Sequence, residues 1–402
     1  MPPAEAAEPP AEARGADLTA MALSCAGCGW SAPLGSLAWR CGRCGGVLDL
    51  SGFTAAVPAR AALRDEPATL WRYRGALPVA EPAGISMGEG MTPLVGAPGF
   101  PAAALKVDYL MPTGSFKDRG AVLLAALASR LGVTRMVADS SGNAGAAVAG
   151  YAARAGIACE VFVPEATSAP KVAQLAAYGA TVHRTGATRE QTASAAAGAA
   201  DRPGVFYASH VYHPFFLHGT KTYLLEAWEQ LGGRLPATLL LPVGNGTLVL
   251  GCYLGARELL AQGLIDRLPA IVAVQAQACA PLAAAFRDGL SEPEEVATWE
   301  TEAEGIAIAR PARGAQILDA IARTGGTIVT VNDDQVRAAH ADLARSGLYV
   351  EPTAAACWAA LRAGLVSLAE PANLPGLPGQ PDGFPQVIAP LCGSGLKSHP
   401  PA

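Results

Sequence analysis

The segment Pro112-Thr-Gly-Ser-Phe-Lys-Asp-Arg-Gly120 opens a stretch of helix-forming residues and carries a lysine at its start. Ser115 followed by Asp118 matches a capping box, which predicts that a helix begins here. Lys117 then falls in the first helical turn, near the positive end of the helix dipole and beside Arg119. Both neighbours favour the neutral amine, which is the nucleophilic form that makes a Schiff base. Taken alone, such a lysine is more often an exposed surface residue.

Three further loops put small and polar residues beside strand ends. Asp139-Ser-Ser-Gly-Asn-Ala-Gly145 precedes a predicted helix over residues 146–155 and offers backbone N–H groups and hydroxyls to a carboxylate or phosphate. Leu241-Pro-Val-Gly-Asn-Gly-Thr247 predicts a phosphate cradle of backbone amides, assisted by Thr247. Leu391-Cys-Gly-Ser-Gly-Leu-Lys397 presents a thiol and a hydroxyl after the last predicted strand. Singly, each loop could be an ordinary turn.

Short runs rich in β-branched residues alternate with alanine-rich helical stretches along most of the chain. This alternation predicts parallel sheet and an α/β fold, with ligands beyond the carboxyl ends of the strands. The clearest predicted strands cover residues 135–139, 160–163, 238–241, 270–274, 327–331 and 386–391. Residues 51–99 and the Pro/Gly-rich residues 371–385 predict irregular structure.

Four of the nine cysteines form two knuckles, Cys25-Ala-Gly-Cys28 and Cys41-Gly-Arg-Cys44. Two such knuckles supply a tetrahedral set of four thiolates, which predicts a structural zinc ion with no open catalytic position. The alternative is that the purified protein carries no metal and the thiols are merely buried. The other cysteines stand singly in apolar segments, and the odd total favours a reducing cytoplasm over a disulfide framework.

The composition favours a large folded protein of the cytoplasm. The chain has 402 residues, of which 51% are hydrophobic and 16% charged, enough for a large core and for two lobes. A net charge of −5 gives no reason to expect a nucleic-acid partner, and no apolar run reaches the length of a membrane span. Residues 1–17 lack the regions of a secretory signal, so we expect a disordered tail over residues 1–20.

The motifs together, in their order along the chain, resemble the threonine synthase family of fold-type II pyridoxal-phosphate enzymes. Besides the loops above, the resemblance rests on Gly88-Glu-Gly-Met-Thr-Pro-Leu94 and runs from Cys25 to Lys397. It implies a two-lobed α/β enzyme with parallel or mixed sheets, pyridoxal phosphate between the lobes, and a homodimer. The expected zinc ribbon covers residues 21–50 and the catalytic region residues 51–402. The smaller lobe would be near residues 105–225, and the larger would combine 51–104 with 226–402.

The resemblance also implies a role for each motif residue. Lys117 would form the Schiff base and then move protons at the substrate Cα and Cβ. The other implied contacts are Phe116 beside the cofactor ring, Asn143 at its 3′-oxygen, Cys392 at its pyridine nitrogen, Gly244, Asn245, Gly246 and Thr247 at its phosphate, and Ser140, Ser141 and Gly142 at the substrate carboxylate. A neutral thiol at Cys392 leaves the ring a milder electron sink than an aspartate would, which suits elimination and replacement. Alternatively, Cys392 is only a core cysteine.

Two departures from the family bear on the substrate. The segment His213-Pro-Phe-Phe-Leu-His-Gly-Thr-Lys-Thr222 resembles the family's Asn-Pro-x-Arg-Leu-x-Gly-x-Lys-Thr, in which the arginine helps to bind the phosphate of O-phosphohomoserine. Phe216 stands at that position and offers no charge, while His210, slightly upstream, stands in place of an asparagine. We therefore expect a different amino-acid substrate, or binding by other cations such as Lys221. Alternatively, a variable loop has been misaligned.

The second departure is Cys392, where threonine synthases usually have a hydroxyl and some serine/threonine dehydratases have a cysteine. The expected activity is elimination or replacement at the β- or γ-carbon of an amino acid. A genuine threonine synthase, a serine/threonine ammonia-lyase and a catalytically dead zinc-ribbon scaffold stay open. The spacing of His210, His213 and His218 fits no common metal site, so they are either loop residues or, in one case, a group that acts on the leaving group.

Overall fold

The computed structural model describes residues 17–187, 189–366 and 384–397. The expected tail therefore lies outside the described residues up to residue 16, as does most of the Pro/Gly-rich loop. Within the expected tail, Leu18–Ala20 form one 3-10 turn that Asp17 caps. Among the described residues, no helix combines the length and apolar character that a membrane crossing needs.

The described secondary structure alternates strands and helices, as expected for an α/β fold. The strands are β1 (Ala22–Ser24), β2 (Ser31–Pro33), β3 (Asp49–Ser51), β4 (Leu94–Ala97), β5 (Phe100–Lys106), β6 (Arg135–Ala138), β7 (Ala158–Val163), β8 (Thr181–Arg184), β9 (Val205–Tyr207), β10 (Thr238–Pro242), β11 (Ala270–Ala276), β12 (Thr327–Val331) and β13 (Val387–Pro390). The helices are α1 (Asp118–Arg130), α2 (Asn143–Arg154), α3 (Ala169–Ala177), α4 (Arg189–Ala200), α5 (Pro214–Thr220), α6 (Thr222–Gln230), α7 (Thr247–Ala261), α8 (Pro281–Arg287), α9 (Gly314–Arg323), α10 (Asp333–Arg345) and α11 (Pro352–Arg362).

Two sheets form the catalytic region. The larger has the order β12-β11-β10-β13-β5-β4 and is parallel except for the β4–β5 pair. The smaller has the order β8-β7-β6-β9 and is parallel throughout. Helices cover the sheets, so central strands such as β13 are buried along their whole length. The predicted α/β class is confirmed, and the lobe limits stay a prediction.

All six strands predicted from β-branched runs are present, within two residues at each end. Strand β5 was missed because its sequence, Phe-Pro-Ala-Ala-Ala-Leu-Lys, is poor in residues that favour strands. It forms nevertheless because it pairs with β13 on one side and β4 on the other, so tertiary pairing overrides local preference. The short strands β8 and β9 were missed because three or four residues carry little periodic signal.

The N-terminal ribbon is a three-stranded antiparallel sheet of order β2-β1-β3. Each strand has only three residues, too few to build a core. Leu23 and Leu48 are nevertheless buried, and both belong to the apolar cluster that includes helices α1 and α2. The ribbon is therefore packed against the catalytic region.

A buried ionic cluster holds α1 in place. Arg119 has no exposed surface and donates to the carboxylates of Asp108 and Glu226. The ammonium of Lys106 in β5 lies 2.9 Å from Glu226 in α6. Two cations and two anions thus neutralise each other where water cannot, and they join β5, α1 and α6.

We predict that Glu226→Gln destabilises the protein by about 3–5 kcal/mol, because the two buried cations would then share a single anion. Urea unfolding of both proteins measures the difference. The matched control is Asp319→Asn, which breaks an exposed ion pair with Arg323 and should cost less than about 1 kcal/mol. Equal unfolding midpoints for the two variants would contradict the account of this cluster.

Candidate active site

Lys117 immediately precedes α1, and its carbonyl accepts the N–H of Ala121. The predicted capping box is wrong. The carboxylate of Asp118 accepts the N–H and the hydroxyl of Thr113 instead, because the turn before the helix folds back onto it. The hydroxyl of Ser115 is buried and has no hydrogen-bond partner in the described part of the chain.

The Lys117 amine lies between groups from three elements. Its Nζ is 3.3 Å from the hydroxyl of Thr247, 4.5 Å from the ring centroid of Phe116 and 5.7 Å from that of Phe216. Burial lowers the pKa of Lys117 to about 8, against the opposing influence of Cys392 and Glu351. The lowered pKa was expected, but burial rather than Arg119 accounts for it. The amine is a competent nucleophile near neutral pH.

The loop over residues 244–247 forms a cradle at the start of α7. Gly246 has φ +74°, and a Cβ there would lie 2.3 Å from Cδ1 of Ile317. At Gly244 a Cβ would lie 2.9 Å from Cγ1 of Ile308. Only glycines fit, so the backbone amides at the N-terminus of this 15-residue helix stay accessible to an anion. Its amides and the Thr247 hydroxyl, within reach of the Lys117 amine, fit a phosphate.

The loop with Ser140, Ser141 and Gly142 lies at the N-terminus of α2, which begins three residues earlier than predicted. All three are half-buried, and Ser140 Oγ accepts the N–H of Gly142 at 3.2 Å. A Cβ at Gly145 would lie 1.9 Å from the Ser140 carbonyl oxygen, so the turn requires glycine there. These hydroxyls and N–H groups fit a carboxylate, and that role stays a prediction.

Asn143 opens α2 and belongs to a polar network that sequence reasoning missed. Its Nδ2 lies 2.9 and 2.8 Å from the two carboxylate oxygens of Glu351, and its Oδ1 accepts from Lys397 at 3.2 Å. Burial raises the pKa of Glu351, while the Asn143 hydrogen bond lowers it. Gly393 makes room for this carboxylate, since a Cβ there would lie 2.4 Å from Oε1. The sequence signal at Glu351, a glutamate before Pro352, indicates a helix start rather than a site.

Cys392 follows β13 and is 2% exposed. Its carbonyl accepts the N–H of Phe116 at 2.9 Å, which holds this strand end against the Lys117 segment. Burial raises the pKa of the Cys392 thiol well above its usual value, so the thiol stays neutral. A neutral group at this strand end agrees with the expected weak partner for a pyridine nitrogen, which stays a prediction.

Phe216 is fully buried, and its ring fills the space that Gly120 leaves open in α1. A Cβ at Gly120 would lie 2.4 Å from Cγ of Phe216. The ring of His210 lies 5.9 Å from that of Phe216, so both residues predicted at the substrate side chain are near Lys117. Lys221 offers no substitute charge, because its ammonium is buried, 2.8 Å from Glu258 and 3.0 Å from His218.

The other two histidines have structural positions. His213 caps α5, and its Nδ1 accepts the N–H of Phe215. Burial lowers the pKa of His213 to about 3, and burial together with Lys221 lowers the pKa of His218 well below its usual value. Both are therefore neutral at physiological pH. Within the described ranges, the histidines belong to no group of metal-ligand side chains.

The four ribbon cysteines do form such a group. Their sulfur atoms all lie within 4.8 Å of one another, with Cys25 3.5 Å from Cys44 and Cys28 3.4 Å from Cys41. Tetrahedral zinc with bonds of about 2.3 Å separates its thiolates by nearly these distances. The Cys41 sulfur also accepts the N–H groups of Arg43 and Cys44, which stabilises a thiolate. The donor set fits a structural zinc ion.

Comparison with known proteins gives consistent results. The family model described as "Pyridoxal-phosphate dependent enzyme" matches residues 85–375. A threonine synthase of Methanosarcina acetivorans is 33% identical over 351 residues, covering 85% of this chain and 86% of the relative. That of Methanocaldococcus jannaschii is 32% identical, covering 85% and 87%.

Solved structures are similar in fold over a shorter range. A threonine deaminase from the source abbreviated T.th. is 28% identical, covers 74% of this chain and 89% of its own, and has a TM-score of 0.58. An L-serine ammonia-lyase from Rhizomucor miehei has a TM-score of 0.64, covers 75% of this chain and 93% of its own, and is 23% identical. The latter similarity concerns the fold alone.

We predict that Cys44→Ser abolishes stoichiometric zinc binding, because three thiolates and a hydroxyl hold the ion far more weakly. Zinc content after dialysis, measured by atomic absorption, should fall from one ion per chain to well below one. Cys159→Ser, which alters a buried cysteine of β7 outside the ribbon, is the control and should keep the full content. Undiminished zinc in Cys44→Ser would contradict the assignment.

We predict that Gly246→Ala weakens pyridoxal-phosphate binding by at least about tenfold, or 1.4 kcal/mol, because the methyl group collides with Ile317 and displaces the loop. Fluorescence titration of the apoprotein measures the dissociation constant. Gly263→Ala is the control, since it has φ +65° but an added Cβ meets nothing within 4 Å. An unchanged dissociation constant for Gly246→Ala would exclude the loop as the phosphate cradle.

We predict that the rate at which the apoprotein captures pyridoxal phosphate rises about tenfold per pH unit below pH 8 and then levels off. The reason is that the pKa of Lys117 is lowered to about 8, so the reactive neutral amine dominates above that pH. Stopped-flow absorbance measures the rate, and pyridoxal without its phosphate, as a control, should give the same midpoint. A rate that still climbs through pH 10 would indicate a solvated lysine.

Proposed function

Because this chain belongs to the pyridoxal-phosphate-dependent enzymes and is threonine synthase-like, we propose that it catalyses elimination or replacement on an amino acid other than O-phosphohomoserine. The reaction occurs at the β- or γ-carbon. The observation that carries the proposal is the buried, uncharged ring of Phe216, 5.7 Å from the Lys117 amine. A phosphate leaving group would meet a hydrocarbon surface there, which is costly for a dianion.

Pyridoxal phosphate, when bound, withdraws electrons from the substrate Cα and so makes its proton removable. The cradle over residues 244–247 would hold its phosphate, because the glycines expose backbone amides there. Asn143 would donate to the 3′-oxygen with the N–H that Glu351 leaves free, and Phe116 would pack beside the ring. Cys392 would meet the pyridine nitrogen with a neutral thiol.

Lys117 would carry the covalent attachment and, once the substrate amine has displaced it, take the proton from Cα. Its lowered pKa supports this role, since the amine accepts and returns protons near neutral pH. Ser140, Ser141 and Gly142 would orient the substrate by its carboxylate, which keeps Cα near Lys117. The phenyl rings of Phe116 and Phe216 keep water from the amine between them.

The side-chain pocket supports an uncharged leaving group, such as a hydroxyl or an acyl ester. Phe216 bounds it with an apolar face, and the neighbouring imidazole of His210 could donate a proton to a departing oxygen. Protonation matters because a hydroxyl leaves poorly as the anion. After departure, water or another nucleophile adds, or hydrolysis yields a keto acid and ammonia.

Two rival functions have specific support. Identity of 33% to a threonine synthase over 85% of this chain favours a genuine threonine synthase with a rebuilt phosphate site. The cysteine at position 392 and the 28% identity to a threonine deaminase structure favour a serine/threonine ammonia-lyase. A catalytically dead scaffold is disfavoured by the buried Lys117 beside an open glycine cradle.

The test supplies the cofactor-loaded protein with serine, threonine, homoserine, their O-acyl esters and O-phosphohomoserine, and follows keto acids, amino acids and phosphate. We expect turnover of an uncharged substrate and no phosphate release. Phe216→Arg should gain O-phosphohomoserine turnover, whereas the control Phe216→Leu, which is also apolar and carries no charge, should not. Threonine and phosphate formed rapidly by the unaltered protein would overturn the proposed substrate class.

We also propose a cytoplasmic homodimer. The support for the dimer is the family resemblance, and light scattering tests it. The support for the cytoplasm is that all nine cysteines, including the ribbon four, carry free thiols.

A further inference from the structure

Arg313 is a buried arginine outside the catalytic loops, and all its donors are used. It directly precedes α9 and is 1% exposed. Its five N–H groups donate to five acceptors, which are Leu48 O, Asp49 Oδ1, Val211 O, Tyr212 O and Gln316 Oε1, at 2.7–2.9 Å. A guanidinium removed from water in this way keeps its neighbours in a fixed geometry, because losing any acceptor leaves a buried donor unpaired.

These acceptors lie on separate parts of the molecule. Leu48 and Asp49 lie in the ribbon, at the start of β3, four and five residues after Cys44. Val211 and Tyr212 lie in the loop over residues 208–213, which joins β9 to α5. Arg313 therefore connects the ribbon to this loop, because it binds one carbonyl and one carboxylate of the ribbon and two carbonyls of the loop.

The loop over residues 208–213 reaches the candidate substrate pocket. His210 belongs to it and lies 5.9 Å from Phe216. The N–H groups of Val211 and Tyr212 bond only weakly to Ser209 Oγ, at 3.3 Å each, so the loop fixes its own shape poorly. The carbonyls that Arg313 holds are one and two residues from His210, close enough to determine where its imidazole lies.

A second contact from the ribbon reaches the same region. Trp39, two residues before Cys41, packs edge-on against Tyr207 at 4.9 Å and Tyr212 at 5.2 Å. Its indole N–H donates to Asp201 at 3.0 Å, which fixes the orientation of the ring. The aromatic contact therefore joins the loop to the end of β9 and makes movement of Tyr212 costly.

We propose that the ribbon, through Arg313 and Trp39, positions the loop over residues 208–213 and with it His210 at the substrate pocket. Arg313 is thus a positioning residue for substrate recognition rather than a catalytic residue. The inference rests on the proposed function only in that the pocket beside Phe216 receives the substrate side chain. It explains why a closed metal ribbon without an open coordination site is packed onto this enzyme.

Hydrogen exchange of the cofactor-loaded protein, followed by mass spectrometry, tests the proposal directly. In Arg313→Met, amides of residues 208–213 should exchange at least about tenfold faster, whereas β10 and residues 244–247 should not change. Asp49→Asn, which keeps its volume and removes one charge, should give a smaller rise in the same peptide. The control is Arg310→Met, since Arg310 pairs with Glu295 on the surface, and it should leave the loop unchanged.

Kinetics give an independent readout with whichever amino acid the unaltered protein turns over. Arg313→Met should raise KM at least about threefold with the cofactor dissociation constant unchanged, and Arg313→Lys should restore part of it. Unchanged loop exchange in both Arg313→Met and Asp49→Asn, or a uniform rise across the chain, would overturn the proposal. If Arg313→Met fails to fold, Asp49→Asn decides alone. The exchange result stands even if O-phosphohomoserine proves to be the substrate.

Discussion

Burial of the Lys117 amine is the constraint on which the site depends. An ammonium in this position would lie against two phenyl rings and one hydroxyl, so burial lowers its pKa and leaves a reactive amine. The protein can hold the lysine there only because α1 is anchored from behind. Arg119, two residues later, is locked into the ionic cluster with Asp108 and Glu226. The cluster contributes to chemistry by keeping the helix start fixed.

The sequence predicted the parts of the site that are encoded by local motifs. The glycines of residues 244–247 could be recognised because close backbone packing allows no other residue, and Lys117 could be recognised from its surrounding segment. The strands rich in β-branched residues were found for the same reason, because their pattern is local. The four cysteines could likewise be recognised by their spacing.

What the sequence could not predict depends on contacts between distant residues. Glu351 meets Asn143 across 208 positions of the chain, and nothing near either residue indicates the pairing. The capping box failed because Asp118 prefers the N–H and hydroxyl of Thr113, a choice made by the folded turn. The pairing of Phe216 with Gly120 is similar, since a large ring and a missing side chain complement each other only in the tertiary structure.

Attachment of the cofactor to Lys117 is the central claim, and reduction of the cofactor-loaded protein with borohydride tests it most directly. The reduced bond survives proteolysis, so mass spectrometry of the peptides locates it. The account predicts one pyridoxyl group per chain, on the peptide that contains Lys117, because this lysine combines a lowered pKa with the neighbouring glycine cradle. A modified Lys221 or Lys397 with Lys117 unmodified, or no stable adduct in a protein that binds the cofactor, would contradict it.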